Sequence, residues 1–473
     1  MDLGLVIGIA IALVLLVGLA IYTGAKKPSG KKDGGTGAAV VTGLIMGTLV
    51  GGSSTVGTAQ LAYNYGMSAW WFTLGAGIAC LILALVYTKP LRASGCPTLV
   101  GMIKNEYGPS AGMAATVLNS IGTFINILSQ LLAASAVVLV IWPNMGTAWT
   151  IIFSAVFMIL YVVFGGAKGA GIVGILKTVL LYVAMVSCGI IALNALGGVS
   201  GVSATMDKFS AELGRNFSSL FCRGFGTDAG ACVSLILGVL TTQTYAQAVI
   251  GAKTDRDARI GALISTVLIP IIGIFGILVG LYMRTVTDPA TFSAKTALTG
   301  FILNYSNMPG LLSGIVLGAL FIASVGTGAG LALGIATMID REFIQSKGKT
   351  KLSSDTMSKI LIVVVLALAT ALSCTPIGDT ILKFAFMSMG LRGCTVFAPL
   401  CFLIWAKGRV SGKYALGSIV GGSVVALILG VLNLFNVITL PCDAVFPGVA
   451  VGLIVMFAGL AFSKKGPESE LKA

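Results

Sequence analysis

The chain has 473 residues, of which 56% are hydrophobic and only 10% charged, with a mean hydropathy of +1.00. So apolar a balance excludes a water-soluble domain and points to an all-α polytopic membrane protein; a membrane β-barrel would show alternating segments of about 10 residues instead. The net charge of +14 does not point to nucleic acid, because the basic residues lie in short loops between apolar runs, where they set orientation.

The hydropathy pattern predicts 13 spans, approximately Leu3–Tyr22, Ala38–Tyr63, Ala69–Tyr87, Ala111–Trp142, Trp149–Phe164, Ile172–Leu196, Ala231–Ile250, Ile260–Met283, Leu311–Ile339, Ile360–Leu372, Ile381–Trp405, Tyr414–Ile438 and Val445–Phe462. The first run carries Asp2 and no leading positive charge, so it reads as a mature helix rather than a cleaved signal. With the N-terminus outside, 22 Lys and Arg fall in inside loops and 5 in outside loops, a strong positive-inside bias. The C-terminus is then cytoplasmic, in a plasma or inner membrane. Three basic residues stay within spans. The 9 cysteines form no CxxC pair; Cys222 and Cys232 share the outside loop 197–230 and could pair in an oxidising compartment. With no histidine, a histidine proton relay or metal site is excluded.

The second span is interrupted by its own composition. Gly47-Thr48-Leu49-Val50-Gly51-Gly52-Ser53-Ser54-Thr55-Val56-Gly57 puts glycine, serine and threonine where strong helix formers belong. Two readings stand. The stretch is a broken helix lining a cavity, with freed carbonyls able to hold a cation. Or Gly43, Gly47 and Gly51 form a small-residue ridge for a close helix crossing. Spans two to six and seven to eleven are two groups of five. An odd number per group turns the second group upside down, the arithmetic of an inverted repeat.

Four passages carry a resemblance. Gly51 to Gly57 is followed by Ala62-Tyr63-Asn64-Tyr65-Gly66. Gln243-Thr244-Tyr245-Ala246-Gln247 leads to Ala252-Lys253-Thr254. Ser324-Val325-Gly326-Thr327 leads to Asp340-Arg341-Glu342-Phe343. Leu391-Arg392-Gly393 precedes Pro399 and Trp405. In order and spacing these resemble the first, sixth, eighth and tenth core helices of the sodium:solute symporter family. The resemblance implies a LeuT-type fold in one transporter domain: an extra helix and loop (1–37), inverted repeats of five helices (38–196 and 231–405), and two C-terminal helices (411–463). It also implies a sodium ion (Na+) between the broken first core helix and the eighth, held by the carbonyls of Gly47 and Val50 and the hydroxyls of Ser324 and Thr327. The family often has adjacent Ser/Thr on the eighth helix; here the two hydroxyls are three apart, on one helical face. Carbonyl and hydroxyl oxygens suit a hard cation. The competing reading is that both hydroxyls bond back to their own helix.

Gly51, Ser53 and Ser54 lie in the segment that faces solute in the family. Gln243 and Asn126 offer further hydrogen bonds; interhelical bonding is the alternative for each amide. Arg392 lies mid-span, where an arginine is costly by at least about 2.5 kcal/mol and is a functional-site candidate. Without an acid at similar depth, its partners are carbonyls or an anionic ligand. No Asp or Glu lies deep in any span, which favours sodium over protons as the coupling ion. The reading is a sodium-coupled symporter for a small organic solute, preferably a carboxylate. The alternatives are a neutral solute (amino acid, sugar or nucleobase) and a sensor or channel on the same scaffold. No enzyme and no nucleic-acid partner is expected. The partners are solute, sodium and lipid bilayer, for a monomer or weak homo-oligomer.

Overall fold

The computed structural model describes residues 2–25, 35–165, 170–340, 354–375, 381–435 and 437–463. Their regular elements are all helical. In chain order they are α1 (Leu3–Ala25), α2 (Ala38–Leu49), α3 (Thr58–Tyr65), α4 (Trp71–Ile82), α5 (Thr88–Ala93), α6 (Leu99–Tyr107), α7 (Pro109–Ile141), α8 (Thr147–Gly165), α9 (Ala170–Ala195) and α10 (Gly198–Leu213). They continue with α11 (Phe225–Thr241), α12 (Gln243–Ile250), α13 (Asp255–Val286), α14 (Ala297–Gly300), α15 (Gly310–Ile339), α16 (Ser354–Ser373), α17 (Ile381–Trp405), α18 (Gly412–Leu434) and α19 (Val445–Phe462). Helices satisfy every backbone group within one segment, which hydrocarbon demands. Among the described residues, nine helical segments are long and apolar enough to cross a membrane, or ten if the bent pair α11–α12 is one span. Three shorter apolar helices are Leu3–Leu15, Ala38–Leu49 and Thr147–Val162.

Burial shows which helices are central. The most apolar windows of α15, α7 and α17 are 83%, 78% and 72% buried, against 22% for α16 and 28% for α19. The central three therefore position the site, while α16, α18 and α19 lie outside them. The loop 197–230 is more structured than its sequence suggested. It contains α10, which buries Met206 and Phe209, and the carbonyl of buried Phe217 accepts the Met67 N–H at 2.9 Å. Cys222 and Cys232 are both free thiols.

At the opposite end, short polar contacts join four elements. Arg92 on α5 donates from Nη1 to the carbonyls of Val249 (3.1 Å), Ile250 (3.2 Å) and Ala252 (2.6 Å) at the end of α12. Its Nε meets Asp255 Oδ1 at 2.5 Å. A cation on helix-end carbonyls is favourably placed against the dipole. Thr254 caps α13 by accepting the Asp257 N–H at 3.0 Å. Asp257 in turn accepts the Ala38 N–H at 3.3 Å, tying α13 to the start of α2.

Candidate functional site

Two helices are interrupted beside α7, α15 and α17. The first α-helical stretch ends at Leu49, and Val50 is extended (φ −89°, ψ 102°). A π-helical turn, Ser53–Gly57, leads into α3. The second break is at Thr242, also extended (φ −84°, ψ 125°), where α11 and α12 meet at 48°. The side chains satisfy the freed backbone locally. Ser54 Oγ accepts the Gly51 N–H at 2.9 Å and donates to the Gly51 carbonyl at 2.9 Å, as Thr55 Oγ1 does at 2.8 Å. Gln130 on α7 closes the rest. Its Oε1 accepts the Gly52 N–H at 3.0 Å, and its Nε2 donates to Ser53 Oγ at 2.8 Å. Ser53 and Ser129 hydroxyls lie 2.7 Å apart, and Ser129 Oγ donates to the Ile381 carbonyl at 2.9 Å. Ser53 and Ser54 are thus buried in this network, and only glycine fits at Gly51 and Gly52. A Cβ on Gly51 would lie 2.5 Å from Thr327 Oγ1, and one on Gly52 would lie 2.5 Å from Ser324 Oγ.

Two of the three ridge glycines, Gly43 and Gly47, make a close crossing, while Gly51 faces Thr327 instead. A Cβ on Gly47 would stand 2.7 Å from Gly174 Cα, and one on Gly174 would stand closer still to the Gly43 carbonyl oxygen. This crossing of α2 and α9 brings Lys177, one turn beyond Gly174, to the break. Its buried Nζ donates to the Gly47 carbonyl at 2.7 Å and to Thr327 Oγ1 at 2.6 Å. The structure therefore brings together two of the four oxygens expected to hold sodium, around an amine of the chain itself. The other two residues are nearby and differently engaged. Ser324 Oγ donates to Leu320 O of its own helix at 3.0 Å. Val50 is buried in the break and donates its N–H to Met46 O at 2.8 Å. Sequence reasoning missed Lys177, although a lysine within an apolar run that lacks acids was the available signal.

Arg392 on α17 is fully buried. Its Nη1 donates to Thr242 Oγ1 at the second break (2.7 Å), its Nε to Ser388 O (3.2 Å), and its Nη2 to Ser388 Oγ (3.1 Å) and Met389 Sδ (3.0 Å). All four partners are neutral. A guanidinium has five donors, so these contacts do not exhaust it. Gly122 of α7 packs against it; a Cβ there would meet Arg392 Cγ at 2.7 Å. One turn to either side of Gly122, on the same face, are Asn119 and Asn126, whose buried Oδ1 atoms have no hydrogen-bond partner. Gln243 is engaged elsewhere. Its Oε1 accepts the Leu99 N–H at 2.9 Å and its Nε2 donates to Pro97 O at 3.3 Å, so its amide caps the start of α6. A separate cavity of about 310 Å³ lies between α3, α11, α17, α18 and α19, lined in part by Tyr65, Arg223, Lys383 and Asp443.

A family model described as "Sodium:solute symporter family" matches residues 34–422. The chain is 28% identical over 214 residues to the uncharacterized symporter YwcA of Bacillus subtilis (44% of this chain, 41% of that protein). It is 25% identical over 353 residues to the high-affinity choline transporter 1 of Caenorhabditis elegans (69% and 59%), and 22% identical over 421 residues to the human one (84% and 71%). The chain thus spans only about half of the first two relatives. Among solved structures, it resembles a Na+-coupled sialic acid symporter in a substrate-bound outward-open state, with a TM-score of 0.75, 16% identity and 97% coverage of both chains. It also resembles Mhp1, a nucleobase-cation-symport-1 family transporter in a closed conformation, with a TM-score of 0.58, 12% identity and coverage of 92% and 95%.

Proposed function

This chain belongs to the sodium:solute symporter family, and from that premise we propose that it is a secondary active symporter carrying a small organic solute across the membrane by alternating access. The family is one of transporters, which supports a carrier rather than an enzyme. Membership, together with the likeness to a sodium-coupled symporter, supports sodium as the co-transported ion. The finer architecture is part of the proposal: 13 spans, the N-terminus outside, and inverted repeats at 38–196 and 231–405. Breaks at Val50 and Thr242, each in the first helix of its repeat, support it. Interrupted helices near mid-membrane mark the binding region in inverted-repeat carriers.

The solute reading rests on one observation, the buried Arg392 whose contacts are all neutral. A cation buried without a carboxylate favours an anionic ligand. Asn119 and Asn126 add acceptor oxygens without partners, which suit hydroxyl or amino donors on the same molecule. The solute we propose is therefore a small carboxylate bearing a hydroxyl or amino group, held between Asn119 and Asn126 of α7, Thr242 and Arg392, with the Gly51–Ser54 segment alongside. Three relatives are named choline transporters; a buried guanidinium at the site opposes a quaternary cation there by like charge.

A thermal-shift screen of the purified protein tests the reading, with lactate, alanine, glucose and choline each in sodium and in potassium. Stabilisation by lactate or alanine, lost in Arg392→Lys, is the expected result. Stabilisation by choline alone would overturn it.

A further inference from the structure

We propose that Lys177 is this carrier's built-in cation: its ammonium takes the place between the broken second span and α15 where the family resemblance puts sodium. The observation is positional. Of the four expected sodium ligands, the Gly47 carbonyl and the Thr327 hydroxyl are the two that meet Lys177 Nζ, at 2.7 and 2.6 Å. These lengths are those of charge-assisted hydrogen bonds, and an ammonium with three donors makes the same demand on hard oxygens as a small cation does. Ser324 has turned to its own helix.

The fold delivers the lysine deliberately. Its backbone is brought close by glycine on both sides of the crossing, Gly174 of α9 against Gly43 and Gly47 of α2. With any side chain at Gly47, the helices would separate and the amine would be drawn away from the carbonyl of that same residue. Lys177 is 5% exposed as a residue, and both partners of its Nζ are neutral, so the amine answers the oxygens of the break and not a neighbouring acid. A sodium ion bound to these same two oxygens would sit in direct contact with a second unit positive charge. The residues present therefore do not accommodate sodium while Lys177 is seated. Any sodium that drives this carrier binds away from the Gly47–Thr327 pair.

The inference rests on the carrier reading above, and its test separates the two. Radioactive sodium binding is measured on the purified full-length protein, for the wild type, Thr327→Ala, Lys177→Ala and the double variant. Wild-type sodium binding, whether present or absent, is expected to be unchanged by Thr327→Ala. Lys177→Ala is expected to gain one sodium ion per protein beyond the wild type, the like charge being gone, and the double variant is expected to lose that extra ion. Sodium binding in the wild type that is lost in Thr327→Ala would overturn the proposal, as would a folded Lys177→Ala that gains none. If Lys177→Ala does not fold, Lys177→Met, which keeps the apolar stem and removes the amine, takes its place with the same two outcomes. The sodium pattern stands independently of the solute screen. Solute-silent protein with the expected pattern counts against the carrier reading alone, and solute-responsive protein with Thr327-dependent sodium binding in the wild type counts against this inference alone.

Discussion

If Gln130 holds the first break open, replacing it by methionine should destabilise the protein by an amount the geometry sets. Methionine keeps the length and apolar stem of the side chain but removes both polar atoms. The Gly52 N–H, bonded to Oε1 at 3.0 Å, is left buried and unsatisfied, which costs about 1–3 kcal/mol. The bond from Nε2 to Ser53 Oγ at 2.8 Å is also lost, a further loss of about 1 kcal/mol, because Ser53 keeps its contact with Ser129. The expected total is about 2–4 kcal/mol. An unfolding entropy of about 2.1 cal/mol/K per residue gives about 1 kcal/mol/K for a chain of this length, so the melting temperature should fall by about 2–4 °C. The assay is a melting scan of the wild type and the variant in one detergent, with solute response measured alongside. A fall below about 1 °C would refute the idea that the amide carries the break.

Two other predictions concern carboxylates that neighbour Arg223. Asp228 is fully buried and accepts from Ser68 Oγ (2.6 Å), the Arg223 N–H (2.9 Å) and Arg223 Nε (2.7 Å), with Arg223 Nη2 at 2.6 Å. Removing one partner of a buried pair costs about 3–5 kcal/mol; Arg223 keeps some water, so Asp228→Asn should cost about 2–4 kcal/mol in a melting scan, and a cost below 1 kcal/mol would refute the pairing. Asp443, in the loop before α19, has its carboxyl raised above the usual range by burial, against the opposing pull of the Val445 N–H and the Arg223 charge. The folded state then holds this proton more tightly than the unfolded one, so its contribution is greatest at low pH and is lost as pH rises through the raised value. Asp443→Asn should flatten the fall in melting temperature from pH 4 upward; an unchanged slope would remove Asp443 as its source.

What the sequence made legible was what composition alone controls. Glycine, serine and threonine at 47–57 weaken a helix wherever it packs, so the break at Val50 could be read without knowing its neighbours. So could the alternative, since Gly43 and Gly47 do form a close crossing, and the two readings describe successive turns of one segment. The break at Thr242 was harder to see. The residues there, Thr241-Thr242-Gln243, contain no glycine, and the extended conformation is supported from outside, by Arg392 on Thr242 and by the Gln243 amide on α6. An amide's partner depends on which helix lies opposite, and a single sequence does not state that. Gln243 therefore reads equally well as a solute contact and as the helix cap it makes.

Lys177 shows the same limit more sharply. Six residues into a predicted span, a lysine reads as a side chain that extends its charge back toward the membrane surface. Whether it does so depends on the approach of α9 to α2, which is set by Gly174 packing on Gly43 and Gly47 across more than a hundred residues of chain. Ser324 and Thr327 complete the argument. Three apart on one face, they are equivalent in sequence, yet Ser324 bonds back to Leu320 while Thr327 accepts from Lys177. Spacing places both hydroxyls toward the break, and the amine arriving from α9 engages one of them. The identity of the cation at that point is thus written in a third helix, outside the two helices from which a sodium site would be read.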